Sequence, residues 1–363
     1  MSRKTLIFLT ALALMTGHLY GKAYQFLYQK DIPVGDKPEL AIFNHSGAIA
    51  IAGSTEDMIT IKAVKNVRAA DPEEAERVGE HIQIDVAAEG SKITVKTEYH
   101  RLSDDSSIWE KLFGSSSDSF GRVDYSIKIP EDCRLAIENS SGDISIDSTG
   151  AAVYIVGSSG AVDIRELKGD LDINTVSGDI SLNNVDGNVN ILTAGSDIFI
   201  DGASGDIEIK ATSGKKEIKS ASGPIRISQT SGTIALENHF GDIRIESISG
   251  KIDIDQQSGH IEILSESGDV EIKTELYSKK DFFVETTSGD ISFELPELSS
   301  GSLRVKTTSG EVTSDFPLDK SPVPGDELEG GFGRGGPRIT LFSETGHITI
   351  GEYTREHDGP GNK

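Results

Sequence analysis

Through the middle of the chain, a short pattern of alternating hydrophobic and polar residues recurs every nine residues. Fifteen consecutive nine-residue repeats fill residues 141–275 without an insertion, as in SGDIEIKAT, SGKKEIKSA and SGPIRISQT at residues 204–230. The sixth position of the repeat is Ile or Leu in all fifteen copies, and the fourth is Ile, Val or Leu in fourteen. A polar residue usually separates these two positions. The alternation predicts one short β-strand per repeat with a single buried face.

The second position of the repeat is Gly in thirteen copies, with Ala151 and Ser196 in the other two. Gly lets the chain turn where a Cβ atom would obstruct. Nine residues are too few for the helical crossover of an ordinary parallel sheet. Successive repeats could form hairpins instead, but antiparallel neighbours would not need the same Gly at the same place every time. We therefore expect a β-solenoid, in which equivalent strands stack on one another.

Two three-residue insertions, 276–278 and 297–299, follow alternate repeats near the end of the series. With two repeats per coil the insertions fall at the same corner of adjacent coils, whereas three repeats per coil would put them at different corners. The sequence therefore predicts about 18 residues per coil. The predicted fold class is all-β, a parallel two-sheet β-solenoid of the β-helix or β-roll type.

The first 23 residues have the pattern of a secretory signal peptide. Arg3 and Lys4 precede an apolar stretch, Thr5 to Gly17, which is too short to span a bilayer. Cleavage after Ala23 would release an exported chain, and no second apolar run reaches spanning length. The predicted location is the periplasm, the cell surface or the extracellular space.

The segments around the repeats predict how the chain begins and ends. A β-rich α+β cap is expected at residues 24–130, with one short helix N-capped by Asp71 and a hairpin that turns at Glu89-Gly90. The other predicted divisions are solenoid repeats at 131–317, a mobile Pro/Gly-rich loop at 318–338, final solenoid strands at 339–353 and a disordered tail at 354–363.

The chain is strongly acidic. Its net charge of −24 becomes −27 when Arg3, Lys4 and Lys22 leave with the signal peptide. Such a surface disfavours nucleic acid or an anionic membrane as partner, and it also keeps a β-rich protein dispersed, which is the simpler explanation. The single cysteine, Cys133, excludes an intramolecular disulfide and is interpreted as a small buried apolar residue.

Three sequence features resemble the bacterial domain family of unknown function known as "putative adhesin". They are VDYSIKIPEDCRLAIENSSGDISI at 123–146, the repeated SGDI segments and the terminal TGHITI. The resemblance covers residues 36–352. It implies an exported, β-solenoid-like protein, and it supplies no catalytic or binding residues.

A calcium-stabilised β-roll is one alternative, because turn carbonyls and Asp side chains of Gly-rich nonapeptide repeats can hold ions between coils. Asp occupies the third position in only seven repeats, and the Gly-x-Gly pattern that exposes turn carbonyls is missing. We interpret the corner Ser and Asp residues as turn caps and predict no metal site and no cofactor. The seven are Asp143, Asp170, Asp179, Asp197, Asp206, Asp242 and Asp269.

A polysaccharide-acting β-helix enzyme is the other alternative, because such enzymes group carboxylates, or a carboxylate with Lys or Arg, in a groove formed by long loops. The fifth position supplies charged candidates: Glu208, Glu217, Arg226, Arg244, Asp253, Glu262 and Glu271. The turns are short and such faces are usually just solvated, so we predict no catalytic residue. His260 and His347 stand where other repeats carry Asp and are interpreted as solvated turn residues.

The predicted function is a non-enzymatic scaffold or adhesin-like binding module of the cell envelope or surface. Its expected partner is an envelope or surface ligand, polysaccharide or protein, with end-to-end self-association as a further option. No nucleic acid and no stable membrane insertion are expected. Loops 101–122 and 318–338 are the candidates for partner contact, because loops on rigid scaffolds carry recognition. The apolar residues around Trp109 in the first loop are expected to cap the core.

One residue breaks the repeat. Lys216 occupies a fourth position that its neighbours give to Ile207 and Ile225. A bare ammonium in the core would cost several kcal/mol. We expect the repeat to bulge so that Lys216 reaches water, and the alternative is a carboxylate partner inside the core.

Overall fold

The computed structural model describes residues 22–100, 121–276, 280–319 and 327–354. The predicted signal peptide, apart from its last two residues, lies outside this part of the chain. So do nearly all of loop 101–122, with Trp109, and the predicted tail beyond residue 354. The described residues form thirty strands and one helix, which confirms the all-β fold class. They divide into two compact units, Met1–Asp186 and Gly187–Lys363.

Each unit contains two sheets. Counted from Ser141, the odd repeats belong to one sheet, called sheet A, and the even repeats belong to the other, called sheet B.

The first unit contains thirteen of the described strands and the helix. They are β1 (Lys22–Pro33), β2 (Glu39–Ser46), β3 (Ile49–Ser54), β4 (Met58–Ala69), α1 (Pro72–His81), β5 (Ile82–Glu89), β6 (Lys92–Tyr99), β7 (Arg122–Pro130), β8 (Arg134–Ser141), β9 (Ile144–Thr149), β10 (Val153–Ser159), β11 (Val162–Lys168), β12 (Leu171–Ser177) and β13 (Ile180–Asp186). Sheet A has the order β1-β4-β7-β3-β9-β11-β13, and sheet B has the order β12-β10-β8-β2-β6-β5.

The helix and hairpin of the first unit lie where the sequence predicts them. The side chain of Asp71 accepts a hydrogen bond from the Glu74 amide at 2.9 Å, which caps the start of α1. Strands β5 and β6 pair antiparallel, with Glu89 opposite Lys92 at the turn. These features depend on local sequence signals, which explains why they could be predicted.

The second unit contains seventeen described strands. They are β14 (Val189–Gly195), β15 (Ile198–Ser204), β16 (Ile207–Ser213), β17 (Lys216–Lys219), β18 (Ile225–Gln229), β19 (Ile234–Phe240), β20 (Ile243–Ser249), β21 (Ile252–Ser258), β22 (Ile261–Ser267), β23 (Val270–Thr274), β24 (Phe282–Ser288), β25 (Ile291–Pro296), β26 (Gly301–Ser309), β27 (Val312–Ser314), β28 (Glu327–Phe332), β29 (Arg338–Thr345) and β30 (Ile348–Tyr353). Sheet A has the order β15-β17-β19-β21-β23-β25-β30-β27, and sheet B has the order β28-β26-β29-β24-β22-β20-β18-β16-β14.

Strands pair in parallel with the strand two repeats away, as the 18-residue coil requires. In the second unit Val189 is opposite Ile207, one coil later. Ile263 is opposite Val284, because the insertion at 276–278 lengthens that coil by three residues. Side chains at the fourth and sixth positions are buried, and Phe282 of sheet B meets Phe293 of sheet A at a ring-centroid distance of 5.8 Å. Each such buried side chain contributes about 1.5–3 kcal/mol to stability.

The glycine corners need their glycine. Gly250 has a φ of +121°, and a Cβ at this residue would lie 2.0 Å from the carbonyl oxygen of Gly232 in the preceding coil. Corners with this conformation therefore stack backbone on backbone, and the missing Cβ of Gly permits the close approach.

The two sheets differ at the eighth position, which the sequence pattern did not predict. In sheet B the eighth residue points inward and is polar in most coils, as with Gln229, Ser247, Ser265 and Thr286. In sheet A, up to repeat 11, the eighth residue has a positive φ, for example Asn238 at 54°, and the ninth is buried instead.

The end of the second unit differs from the prediction in two ways. The last two strands do not follow β26 and β27 in space, because β29 lies between β24 and β26 and β30 lies between β25 and β27. The predicted loop 318–338 is also wrong in part, since β28 (Glu327–Phe332) pairs antiparallel with β26. Strand β28 is held by burial of Leu328 and Phe332, and the ring of Phe332 packs against Phe316. The many glycines around these two residues had favoured a loop prediction.

No helix among the described residues is long and apolar enough to cross a membrane.

Candidate functional site

The corner Asp residues bind backbone amides. Asp242 Oδ1 accepts a hydrogen bond from the amide of His260, one coil later, at 3.0 Å. Asp290 accepts likewise from the amide of His347 at 2.7 Å, and Nδ1 of His347 accepts from the amide of Glu311 at 3.1 Å. The third-position side chain therefore links successive coils, and His347 can replace Asp because its ring nitrogen is also an acceptor.

This geometry leaves the corner carboxylates in structural roles. In residues 22–100, 121–276, 280–319 and 327–354, no group of three or more His, Cys, Asp and Glu side chains could hold a metal ion. His260, predicted to be solvated, is half-buried, and its ring contacts the carbonyl of Asp281.

The charged fifth positions lie on the outer faces and mostly form ion pairs with nearby charges at the third, fifth and seventh positions. Arg244 meets Glu246 at 2.9 Å and Glu262 at 2.7 Å, and Lys251 meets Glu271 at 2.7 Å. The carboxylate of Glu217 lies 2.5 Å from the ammonium of Lys215, and this neighbour holds the pKa of Glu217 below its usual value. Such exposed ion pairs contribute little to stability, because water and salt screen them. They form a solvated face rather than a group of carboxylates around a substrate.

The structure does form a groove, on sheet B of the second unit. Its volume is about 410 Å³, and it crosses β16, β18, β20, β22 and β24 where these strands reach their carboxyl ends. The seventh, eighth and ninth positions of the repeats line it: Ala211, Ser228, Gln229, Thr230, Glu246, Ser247, Ile248, Leu264, Ser265, Glu266, Glu285 and Thr287. We call this surface the sheet B groove.

Two properties of the sheet B groove affect what it can bind. Its lining contains the carboxylates of Glu246, Glu266 and Glu285 and no Lys, Arg or His. Ile248 is 47% exposed, so an aliphatic surface lies beside these charges. The side chain of Gln229, by contrast, points into the core beneath this face, where its Nε2 donates to the carbonyl of Gly232 at 2.7 Å.

Both sequence hypotheses about Lys216, a bulge that exposes it to water and a carboxylate partner in the core, are wrong. The residue is fully buried and in register, opposite Ile198 and Ile234, so the repeat does not bulge. Its ammonium donates to the carbonyls of Ser213 at 2.8 Å and Gly214 at 2.9 Å rather than to a carboxylate. Burial lowers the pKa of Lys216 to about 8, and the charge of Asp197 opposes this shift.

The neighbouring coils show why an ammonium is tolerated there. Buried polar side chains at the eighth position of sheet B donate to corner carbonyls, as Ser247 does to Ser249 at 3.3 Å. The eighth-position residue before the 213–214 corner is Ala211, in register with Thr193 and Gln229. The side chain of Ala211 has no hydrogen-bond donor. Lys216 instead donates the hydrogen bonds to this corner, from a fourth position in the core.

Besides Lys216, which is still an ammonium at neutral pH, two more titratable groups are buried, and these two are uncharged. Burial lowers the pKa of His239 to about 4 and raises the pKa of Cys133 to about 12. A thiol with such a pKa is a poor nucleophile. Cys133 therefore lies in the structure as a packed side chain, in keeping with its interpretation from sequence.

Sequence reasoning missed the sheet B groove, because its lining residues are separated by whole coils. Its exposed lining comes from the seventh and ninth positions of even repeats, whose residue types vary from coil to coil and give no periodic signal. The predicted contact loops give no site, since residues 101–120 and 320–326 lie outside the described chain.

Comparison with known proteins agrees with this architecture. The Toastrack DUF4097 family matches residues 38–351, which confirms the resemblance seen in the sequence. None of the curated proteins compared with the chain matches it significantly.

Several solved structures are similar over most of their length. A "putative adhesin" from Bacteroides fragilis is 13% identical, with 90% of this chain and 97% of that chain covered and a TM-score of 0.29. A "putative cell adhesion protein" from Clostridium sporogenes is 10% identical (90% and 100% covered, TM-score 0.21). A "putative lipid binding protein" from Parabacteroides distasonis is 12% identical (90% and 97% covered, TM-score 0.22).

Proposed function

This chain belongs to the Toastrack DUF4097 family of domains of unknown function, and we propose from its own surface that it is a non-enzymatic binding module or scaffold of the cell envelope. The observation that carries the proposal is the sheet B groove, which crosses five hydrogen-bonded strands. A groove fixed by parallel ladders keeps its shape, so binding costs little ordering entropy.

Two further features support this function over catalysis. The charged fifth positions, which the sequence offered as catalytic candidates, form ion pairs along an outer face and do not line the groove, whereas an exposed aliphatic residue, Ile248, does line it. Export rests on the signal-peptide pattern of residues 1–23. Together these features suit a protein that presents a fixed surface outside the cytoplasm.

Cell fractionation and an envelope pull-down test this function. We expect the protein in the exported fraction, and we expect purified protein to be retained on isolated envelopes. Retention should persist after prolonged incubation without release of reducing or unsaturated sugar ends. Release of such ends would establish the enzyme alternative, and recovery only in the cytoplasm would overturn the proposal.

A calcium-stabilised solenoid is tested separately by thermal melting with and without EDTA. An unchanged melting temperature is expected, because the corner carboxylates already bind amides of the next coil.

A further inference from the structure

We propose that the sheet B groove binds an extended, lysine- or arginine-rich peptide segment of a partner protein. This inference rests on the proposed function and names the partner of the same groove. Its first basis is charge complementarity. Three glutamates line the groove, and Arg244, which lies outside the lining, pairs with one of them, Glu246.

The carboxylates are placed at intervals along the groove. Glu246, Leu264 and Glu285 are opposite one another in successive strands β20, β22 and β24, so the two glutamates stand two strands apart. At about 4.8 Å per strand their backbones are separated by roughly 10 Å. Glu266 lies on the strand between them. Of the three, Glu246 already meets Arg244, which leaves Glu266 and Glu285 as the stronger attractants.

The apolar part of the groove distinguishes a basic side chain from a bare cation. Ile248 is 47% exposed and lines the groove together with Leu264. Lys and Arg lay their methylene stems along apolar surface while the charged end stays near water or a carboxylate. An aliphatic surface beside carboxylates is therefore suited to these two side chains.

Polar groups can serve the peptide backbone. Ser228, Thr230 and Thr287 line the groove with hydroxyls. Hydroxyls of this kind can donate to or accept from the main chain of an extended peptide.

A peptide fits better than an amino-sugar polymer. Sugar sites typically present aromatic rings for stacking, and no aromatic residue lines this groove. A volume of about 410 Å³ is in the range of small-ligand sites, which suits a few basic side chains rather than a folded domain.

Fluorescence anisotropy with a labelled oligolysine tests the proposal on the purified full chain. The double variant Glu266→Gln/Glu285→Gln should bind about tenfold more weakly, as two lost ion pairs of about 0.7 kcal/mol each imply. The matched control Asp201→Asn/Asp253→Asn removes the same charge from sheet A and should stay within about twofold of wild type. Melting curves confirm that both variants fold.

Two results would overturn the proposal. Equal weakening by the groove and control variants would show that oligolysine senses only the overall acidity of the chain. Binding of an amino-sugar oligomer, but not of oligolysine, with the same dependence on Glu266 and Glu285 would assign the groove to a polysaccharide. Failure of envelope retention would bear on the proposed function, whereas these outcomes with purified components bear on the groove alone.

Discussion

At two corners in the second unit, different side chains donate hydrogen bonds to the corner carbonyls from inside the core. At the corner of Ser249 and Gly250, Ser247 donates to the carbonyl of Ser249 and the fourth position holds a buried Ile252. At the corner of Ser213 and Gly214, the eighth position is Ala211, and Lys216 at the fourth position donates to both carbonyls.

The difference shows that a buried donor can reach the corner carbonyls from either of the two strands that the corner joins. A short hydroxyl can act from the strand before the corner, or a long amine from the strand after it. Other corners follow the first solution with an amide, as Gln229 does toward Gly232. The odd lysine is therefore a structural substitute for a missing hydroxyl, and it carries no sign of a reactive site.

The largest expected effect concerns the charge on Lys216. Its pKa is about 8 in the folded chain and near 10.5 when unfolded, so between these values the unfolded chain binds more protons. Stability should therefore rise as pH increases from 8 to 10.5, by about 3 kcal/mol. The neutral amine still has two hydrogens for the carbonyls of Ser213 and Gly214.

Urea denaturation of wild type and Lys216→Met across this pH range measures the effect. Methionine has a similar length and no titration, so the difference between the two curves isolates the lysine. Parallel curves would show that Lys216 titrates in the fold as it does in water.

The next effect tests whether Lys216 and Ala211 are coupled. Lys216→Ile should destabilise the chain by about 2 kcal/mol, because two corner carbonyls lose their donor while the ammonium no longer has to be buried. Adding Ala211→Thr should restore about half of this loss, since Thr193 already occupies the equivalent place one coil earlier.

Chemical denaturation of both single variants and the double variant gives the coupling energy. Ala211→Thr alone is the control, and it should change stability by less than about 0.5 kcal/mol because Lys216 already serves that corner. A more stable Lys216→Ile variant, or additive effects, would contradict the idea that one residue replaces the other.

The smallest effect is at the ordinary corner. Ser247→Ala removes a single hydrogen bond to Ser249 and should cost about 1 kcal/mol. Thr230→Ala, at an exposed ninth position of the same sheet, is the matched control and should be nearly neutral. If Ser247→Ala were also neutral, the buried hydroxyls would contribute packing alone.

Much of the fold could be predicted because the signals for strands and turns lie within each nine-residue repeat. Ile at the fourth and sixth positions gave the buried face, Gly at the second gave the corner, and two insertions gave the 18-residue coil. The Asp71 cap and the hairpin at Glu89-Gly90 were likewise local. Strand β28 was missed because its glycines mask two inward residues, Leu328 and Phe332, whose burial depends on a distant partner strand.

The sequence by itself determined which residues of the repeats form strands, where the repeats turn and how long a coil is, because these depend on neighbours within about nine residues. Only the tertiary structure decided that β29 enters between β24 and β26, that Lys216 reaches two carbonyls in the core, and that residues from five coils form the sheet B groove. These outcomes depend on which strands become neighbours and in which register. Residues many positions apart then share one surface, and their spacing in the sequence does not report it.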